Sequence, residues 1–376
     1  MKYYIIAGEA SGDLHGANLM KELLKIDKNA EFRFWGGDLM SKYGGEPVKH
    51  INELAFMGII KVIANIRTIA KNINLCKNDI KRYNPNTIIL IDYAGFNLKI
   101  AKFAKVKGIF VNYYISPKIW AWKTNRIKII KKYVDKMYSI LPFENDFYSK
   151  YNYKIEYVGN PINDAIQEYK ETQNNNNENF LRSNNLTNKP IIALLAGSRV
   201  QEIEQTLPLM VQISNNFPDY QFIIAGAPSI KKELYNNIIQ NKNVKIVYNQ
   251  TYNLLQNSKA AIVTSGTATL ETALFKIPQI VCYKTIAGDT LYKIGRALVK
   301  TKWISLVNLI LNYEAVKELL QTDFNEKNIV TELNKILNNK EYRHKIIESY
   351  NKLQELIGTN KASKKTAQSI YNTISK

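Results

Sequence analysis

The first residues that could do chemistry lie in the turn from Gly8 to Gly16, which reads Gly-Glu-Ala-Ser-Gly-Asp-Leu-His-Gly. Within it are two carboxylates, a hydroxyl and an imidazole, from Glu9, Asp13, Ser11 and His15. A turn that only joined a strand to a helix would need one glycine and a capping residue. The polar side chains therefore predict contact with a hydroxyl-rich ligand, and a plain capped turn is the alternative on spacing alone.

A second candidate is the acid that ends an apolar run, Ile88-Ile89-Leu90-Ile91-Asp92. Such a run predicts a buried strand, and an acid at the carboxyl end of a central strand would face a cleft. There Asp92 could accept a proton from an acceptor hydroxyl as a general base. A simple loop cap is the alternative interpretation.

Two motifs in the second half of the chain predict a nucleotide diphosphate site. The sequence Gly197-Ser198-Arg199 follows a strand and precedes a helix, so it offers backbone N–H groups and a guanidinium to phosphate. The segment Ser265–Glu271 also lies between a strand and a helix, and its small residues would let the backbone approach a phosphate. Glu271, one turn inside that helix, could accept hydrogen bonds from a ribose diol.

Some motifs are absent from the sequence. It has no Asp-x-Asp, which a metal-held diphosphate would use, no Gly-x-x-x-x-Gly-Lys-Ser/Thr and no Gly-x-Ser-x-Gly. Three histidines and two cysteines argue against a zinc site. We expect neither a metal nor a cofactor.

The elements that must position these residues are strands alternating with helices. Apolar runs begin near residues 3, 31, 87, 109, 137 and 155, and again near 191, 221, 244, 260 and 279. This alternation predicts an α/β protein with two Rossmann-like domains whose parallel sheets face each other across a cleft. We predict an N-terminal domain at 1–167, an Asn-rich linker or loop at 168–189, a C-terminal domain at 190–356, and a helix at 357–376 that could return to the first domain.

The net charge of +20 fits nucleic acid, an anionic membrane surface or phosphorylated ligands, and also a solvated surface with no partner. No RNA-binding module is recognisable, so nucleic acid is not a predicted partner. The segment Met57–Arg67 is apolar over most of its circumference yet carries Lys61 and Arg67. It predicts an interfacial helix, with a charged-edged core helix as the alternative. The side chains expected to contact acyl chains are Met57, Ile59, Ile60, Ile63 and Ile66.

Seven short motifs follow one another in order: Gly8–Gly16, Ser116–Trp122, Leu141–Glu144, Val158–Pro161, Gly197–Arg199, Ser265–Glu271 and Leu306–Leu311. In this order they resemble the lipid-A-disaccharide synthases, inverting glycosyltransferases of the two-domain GT-B fold. The resemblance implies transfer of 2,3-diacylglucosamine from UDP-2,3-diacylglucosamine to the 6-hydroxyl of 2,3-diacylglucosamine 1-phosphate. The products would be a β-1,6-linked tetraacyl disaccharide 1-phosphate and UDP.

The resemblance also implies roles for single residues. Asp92 is the candidate base, with Glu9 and Asp13 in reserve. The candidates for binding UDP are Gly197, Ser198, Arg199, Ser265, Gly266, Thr267, Thr269 and Glu271. The candidates for binding the acceptor or its sugar are Ser11, Gly12, His15 and Asn97. Such an enzyme would lie in the cytoplasm, peripherally associated with the inner face of the inner membrane of a Gram-negative bacterium, and could form a homodimer.

Two departures from the family pattern matter. Many members have Asp-x-Pro-Asp-Phe-Asn after the central strand, whereas this chain has Asp92-Tyr93-Ala94-Gly95-Phe96-Asn97. If the missing second acid were the base, the assignment to Asp92 would fail. The family's Pro-Gly-Ser-Arg is here Ala196-Gly197-Ser198-Arg199. The alternatives are another GT-B enzyme acting on UDP-N-acetylglucosamine, either a lipid glycosyltransferase or a 2-epimerase, and a basic non-enzymatic protein that binds RNA or membranes.

Overall fold

The computed structural model describes residues 1–54, 66–172, 177–240, 244–285, 301–359 and 361–375. They form two compact units, each built around its own parallel β-sheet. The first unit comprises Met1–Asp164 and Thr359–Lys376, and the second comprises Ala165–Gly358. The predicted α/β class with two parallel sheets is confirmed.

The first unit contains a seven-stranded sheet. Its strands are β1 (Lys2–Ala7), β2 (Glu31–Gly36), β3 (Lys49–His50), β4 (Thr87–Ile91), β5 (Phe110–Tyr114), β6 (Lys136–Ser139) and β7 (Glu156–Tyr157). They run parallel in the order β3-β2-β1-β4-β5-β6-β7. Its helices are α1 (Ala10–Ile26), α2 (Asp38–Gly44), α3 (Ile66–Tyr83), α4 (Ala94–Val106), α5 (Ile127–Tyr133) and α6 (Glu144–Ser149), and α7 (Pro161–Thr172) continues into the second unit.

The central strands β1 and β4 are buried on both faces, so their alternate side chains serve two separate cores. Tyr4 and Leu90 pack with side chains of α3, α4 and α5, while Tyr3 and Ile91 pack with those of α1. The strand order reverses between β1 and β4, and sheets of this kind bind ligands beyond such a switch point. The turns that follow β1 and β4 are therefore neighbours at one edge of the sheet.

The second unit repeats this plan with a six-stranded parallel sheet. Its strands are β8 (Ile191–Leu195), β9 (Gln221–Gly226), β10 (Val244–Tyr248), β11 (Ser258–Thr264), β12 (Gln279–Tyr283) and β13 (Lys317–Leu320), in the order β10-β9-β8-β11-β12-β13. Its helices are α8 (Asn177–Ser183), α9 (Val200–Gln212), α10 (Lys232–Ile239), α11 (Thr251–Gln256), α12 (Thr267–Leu274), α13 (Leu306–Leu311), α14 (Glu326–Asn338) and α15 (Lys340–Ile357). The switch point lies between β8 and β11.

The last helix, α16 (Ala362–Ile374), belongs to the first unit and packs against α1. Its apolar side chains Ala367 and Ile370 join the core that also contains Tyr3. Its first residue, Ala362, donates its backbone N–H to the Asp164 carboxylate over 2.6 Å. The two ends of the first unit are thus joined by both apolar packing and a helix cap.

The structure differs from the sequence-based expectation in the stretch 168–189. Helix α7 continues to Thr172 and α8 forms within the asparagine-rich block, so the expected linker or loop is partly helical. Phe180 gives α8 a buried apolar anchor, which the polar composition around it conceals. The short strands β3 and β13 also escaped the sequence analysis, because two to four residues show too little alternation.

Within the part of the chain that the structure describes, no helix is long and apolar enough to cross a membrane. The predicted acyl contacts Met57, Ile59, Ile60 and Ile63 lie outside the described residues. Ile66 is the first residue of α3, and its side chain is likewise outside the description.

Candidate functional site

The turn after β1 is shaped by close packing at two glycines. A Cβ added to Gly8 would lie 2.4 Å from the ring of Tyr93, and one added to Gly12 would lie 3.1 Å from Ala7. Larger residues at either place would push α1 away from the switch-point edge. Gly12, a predicted sugar contact, therefore lets helix and strand approach each other.

Asp13 is buried beneath this turn and is engaged by the backbone. Its carboxylate accepts hydrogen bonds from the N–H groups of Gly37, Leu39 and Met40, at 2.7, 3.1 and 3.1 Å. A carboxylate at this place satisfies the otherwise unpaired N–H groups at the start of α2. Its negative charge also interacts favourably with the positive end of the helix dipole. The geometry makes Asp13 a structural cap, which weakens it as a reserve base.

The other polar residues of the turn remain near its surface. Ser11 is exposed, and Glu9 and His15 are half-buried. Burial lowers the pKa of His15 to about 4, so this imidazole is neutral at pH 7. Its Nδ1 atom is buried without a hydrogen-bond partner among the described residues. Burial is the main cause that raises the pKa of the Tyr93 hydroxyl, and the charge of Glu9 is the second. The effect of Glu9 indicates that the two turns are close.

Asp92 follows β4 in an unusual backbone conformation. Asp92 and Tyr93 both have positive φ, at 43° and 46°, a region that non-glycine residues occupy at a cost of about 1–3 kcal/mol each. Three contacts hold this turn: Asn97 Nδ2 donates to the carbonyls of Ile91 and Asp92 at 3.2 and 2.8 Å, and the Tyr113 hydroxyl donates to the Asp92 carbonyl. We call residues 92–97 the Asp92 turn. Such maintained strain is typical of functional sites.

Asn97, predicted to contact the acceptor, holds the backbone at the start of the Asp92 turn. It is fully buried, and its amide nitrogen is used by two backbone carbonyls. Sequence alone could not distinguish the two roles, because both place a polar side chain near the end of a strand. Asn97 therefore holds the backbone of Asp92, while its Oδ1 atom is buried without a hydrogen-bond partner among the described residues.

Burial and nearby groups act on the Asp92 carboxyl in opposite directions. Burial raises the pKa of its carboxyl, while Lys118 and the backbone N–H of Tyr93 oppose that rise. Lys118 belongs to the motif Ser116–Trp122, which Trp120 anchors by donating its indole N–H to Glu144 over 2.9 Å. Burial raises the pKa of Glu144 to about 7. The sequence motifs contain Lys118 and Glu144 but do not indicate that the charge of Lys118 acts on both Asp92 and Glu144.

In the second unit, the turn after β8 is already occupied by a side chain of the same chain. Gly197 has φ of 103°, a conformation that favours glycine, and an added Cβ would lie 2.4 Å from Glu202 Oε2. Glu202 accepts the Ser198 N–H and pairs with Arg199 Nη1, both at 3.1 Å. The groups that were predicted to bind phosphate, at Ser198 and Arg199, are thus brought together. Glu202 accepts the hydrogen bonds that a phosphate would accept. Sequence analysis missed this role.

The segment after β11 contains both exposed and buried members of the predicted set. Gly266 and Thr267 are exposed at the start of α12. Ser265 is half-buried and donates its hydroxyl to Ile304 O over 3.0 Å. Thr269 is fully buried and donates its hydroxyl to Gly266 O over 2.8 Å, so it closes the first turn of the helix and is a structural residue.

Glu271 lies one turn into α12 beside an aromatic cluster. The Tyr252 hydroxyl donates to Glu271 Oε1 over 3.1 Å, and Tyr252 in turn packs against Tyr169 and Phe275. Burial raises the pKa of Glu271, and the Tyr252 hydrogen bond opposes that rise. The carboxylate is held in one place, as recognition of a diol requires.

The motif Leu306–Leu311 has a structural explanation in this chain. Asn308 is buried and exchanges hydrogen bonds with the backbone of Ala315 and Val316. Glu318 accepts the N–H groups of Ile304 and Ser305. Because Ser265 donates to Ile304 O, this network supports the turn after β11 from its side.

Each unit therefore brings its own set of candidates to one sheet edge. In the first, Ala7 is in register with Ile91, which places the Gly8–Gly16 turn beside the Asp92 turn. In the second, Leu195 is in register with Val263, and the hydroxyls of Thr206 and Thr264 lie 3.2 Å apart beneath the two turns. In the described ranges, no group of three or more His, Cys, Asp or Glu residues is arranged to hold a metal ion.

Comparison with known proteins was made by sequence and by structure. A family model described as Lipid-A-disaccharide synthetase matches residues 3–371. Proteins named lipid-A-disaccharide synthase from Coxiella burnetii and Geobacter sulfurreducens are 36% and 32% identical over 375 and 379 residues. These alignments cover 98% of both chains in the first case, and 99% of this chain and 97% of the relative in the second.

Solved structures show the same fold at low identity. The UDP-GlcNAc 2-epimerase of Neisseria meningitidis, bound to UDP-GlcNAc, has a TM-score of 0.62 at 14% identity, and covers 99% of this chain and 100% of that one. The Methanocaldococcus jannaschii UDP-GlcNAc 2-epimerase, in complex with UDP-GlcNAc and UDP, has a TM-score of 0.66 at 15% identity with the same coverage. At these identities the likeness establishes the GT-B fold alone.

Proposed function

Because the chain belongs to the lipid-A-disaccharide synthase family, and is thus a glycosyltransferase of lipid A synthesis, we propose that its substrates are two acylated glucosamines. It transfers 2,3-diacylglucosamine from UDP-2,3-diacylglucosamine to the 6-hydroxyl of 2,3-diacylglucosamine 1-phosphate. The products are the β-1,6-linked tetraacyl disaccharide 1-phosphate and UDP.

The observation that carries the assignment of a base is the Asp92 turn. Its carboxyl lies at the switch-point edge, its backbone is held in a strained conformation, and burial raises its pKa. In the proposed reaction the proton of the acceptor 6-hydroxyl moves to the Asp92 carboxylate while the oxygen bonds to C1 of the donor sugar. The bond from C1 to the UDP oxygen breaks on the opposite face, which inverts the configuration.

The leaving diphosphate is assigned to the second unit. Arg199 and the backbone N–H of Ser198 would stabilise the negative charge that develops on UDP, and Glu202 has to release both of them first. The exposed start of α12 would add its N–H groups at Gly266 and Thr267. Glu271, held by Tyr252, would bind the ribose diol.

We also propose peripheral association with the inner face of the inner membrane, and a homodimer as a possible assembly. The exposed cations of the first unit and its Trp122, which is 57% exposed, support an anionic lipid surface as a partner. For the segment 57–66, replacement of Ile59 and Ile63 by glutamate should release the protein from membranes. Unchanged association would argue against an interfacial helix there.

The decisive experiment is incubation of the purified protein with both acylated substrates, followed by measurement of UDP and disaccharide. UDP and disaccharide should appear in equal amounts. Unacylated UDP-N-acetylglucosamine, offered as a control, should be neither transferred nor epimerised. If the folded protein released no UDP above a reaction without enzyme, the proposed substrates would be wrong.

A further inference from the structure

The first unit contains a cavity of about 380 Å³ that opens beside the Asp92 turn. It lies between α4 and α5, and its lining includes Ala94 and Gly95, two and three residues after Asp92. We refer to this cavity as the α4–α5 groove. No step proposed above uses it, although two of its lining residues closely follow the candidate base in the chain.

One wall of the groove is apolar. Helix α4 contributes Leu98, which is buried, and α5 contributes Ile129 and Tyr133. Ile129 remains 40% exposed. Such a wall would accommodate part of an acyl chain better than it would a polar ligand.

The groove is also lined by three cations, Lys99, Lys102 and Arg126. Gly95, Lys99 and Lys102 share one face of α4, since they are four and three residues apart. Among the described residues, none of the three cations forms an ion pair with a carboxylate, whereas Lys105 on the same helix pairs with Asp135. Unneutralised lysine and arginine side chains that converge on one cavity favour a phosphate.

The position of the cations relative to Asp92 limits the kind of ligand. Lys99 lies five residues beyond Ala94, which is about 8 Å along the helix axis. Arg126 acts on the Tyr113 hydroxyl, where it opposes the rise in pKa caused by burial, and that hydroxyl donates to the Asp92 carbonyl. The groove thus extends along α4 from the residues that follow Asp92 to cations about one to two turns further along the helix.

We propose that the α4–α5 groove binds the acceptor, with its 1-phosphate at Lys99, Lys102 and Arg126 and one acyl chain against Leu98, Ile129 and Tyr133. This inference rests on the proposed function and assigns the acceptor to particular residues. A sugar bound there would present its 6-hydroxyl to Asp92. A membrane phospholipid would satisfy the cations and the apolar wall, but it would leave the junction with Asp92 unexplained.

The test uses the full chain and the double substitution Lys99→Gln with Lys102→Gln. At saturating donor, the KM for 2,3-diacylglucosamine 1-phosphate should rise by about tenfold or more, because two charge-assisted contacts to phosphate are lost. The kcat and the affinity for UDP should change little. The matched control is Lys77→Gln with Lys81→Gln, which removes the same charge from α3, where both lysines lie over the Phe103 ring.

Two further measurements separate the acceptor from other anions. The variant and the wild type should bind an acceptor that lacks the 1-phosphate equally well. The variant and the Lys77→Gln, Lys81→Gln control should bind phosphatidylglycerol vesicles equally well, because each loses two cations from the first unit. An unchanged KM, or an equal rise in the control, would overturn the proposal. So would loss of vesicle binding with an unchanged KM, because the groove would then be a membrane contact. A wild type that releases no UDP would contradict the proposed function itself and not the groove alone.

Discussion

Glu202 should compete with UDP, and replacing it with glutamine should therefore strengthen nucleotide binding. Its carboxylate accepts the Ser198 N–H and pairs with Arg199, both at 3.1 Å, and a diphosphate needs the same two groups. A glutamine at this position would keep the size of the side chain but lose its charge. The competition would then largely disappear.

The size of the effect follows from the exposure of these groups. Arg199 is 59% exposed, so its ion pair with Glu202 contributes about 0.2–1 kcal/mol. The hydrogen bond from Ser198 to a charged acceptor adds roughly 0.5–1 kcal/mol in so open a place. Together they predict a Kd for UDP that is about 3- to 30-fold lower in Glu202→Gln than in the wild type.

Isothermal titration of UDP into both proteins measures this difference directly. Glu204→Gln is the matched control, because it removes an exposed carboxylate from the same helix. Raising the salt concentration should narrow the gap between variant and wild type, since exposed charges are screened. If Glu202→Gln bound UDP more weakly, Glu202 would be a ligand contact, and the competition inferred from the structure would be wrong.

Three more predictions follow from the first unit. Asp92→Asn should slow transfer by about 10²- to 10⁴-fold while UDP binding is retained, and addition of Gly95→Asp should not restore the rate. Recovery of transfer in that double variant would show that an acid at position 95 can act as the base without Asp92. Asp13→Asn should lower the free energy of unfolding by about 1–3 kcal/mol in urea titrations, because a buried cap of α2 loses its charge; an unchanged midpoint would contradict the capping role. Glu144, with its pKa raised to about 7, adds stability at low pH that is lost as the pH rises from about 4.5 to 7, so Glu144→Gln should be the more stable protein at pH 8 and lose that advantage near pH 4. If the free energies of unfolding of the two proteins changed with pH in parallel, the titration of Glu144 would not be the cause of this pH dependence.

The sequence predicted the strands and the turns well because both depend on local pattern. Apolar runs locate β1, β4, β8 and β11, and polar or small residues after such runs mark the carboxyl edge where ligands bind. The departures arise from partners that are distant in sequence. Asp13 caps a helix that begins 25 residues later, a contact that no local pattern reveals.

The same limit applies to residues that were expected to meet ligands. Asn97 and Thr269 have suitable side chains and suitable positions, yet the Asn97 amide nitrogen and the Thr269 hydroxyl each donate to the backbone of their own turn. Whether a hydroxyl or amide points inward depends on helix orientation, which spacing does not determine. The α4–α5 groove likewise requires two helices to be placed side by side before its cations can be seen to converge.

The return of α16 to α1 has a consequence for synthesis on the ribosome. Tyr3 and Ile5 are made first, but their core is completed by Ala367 and Ile370, which are made last. About 200 residues of the second unit must emerge in between, which takes roughly 10 to 40 s at ordinary rates of translation. Throughout that interval the nascent first unit exposes an apolar face, so it should be a client of chaperones until the final helix docks.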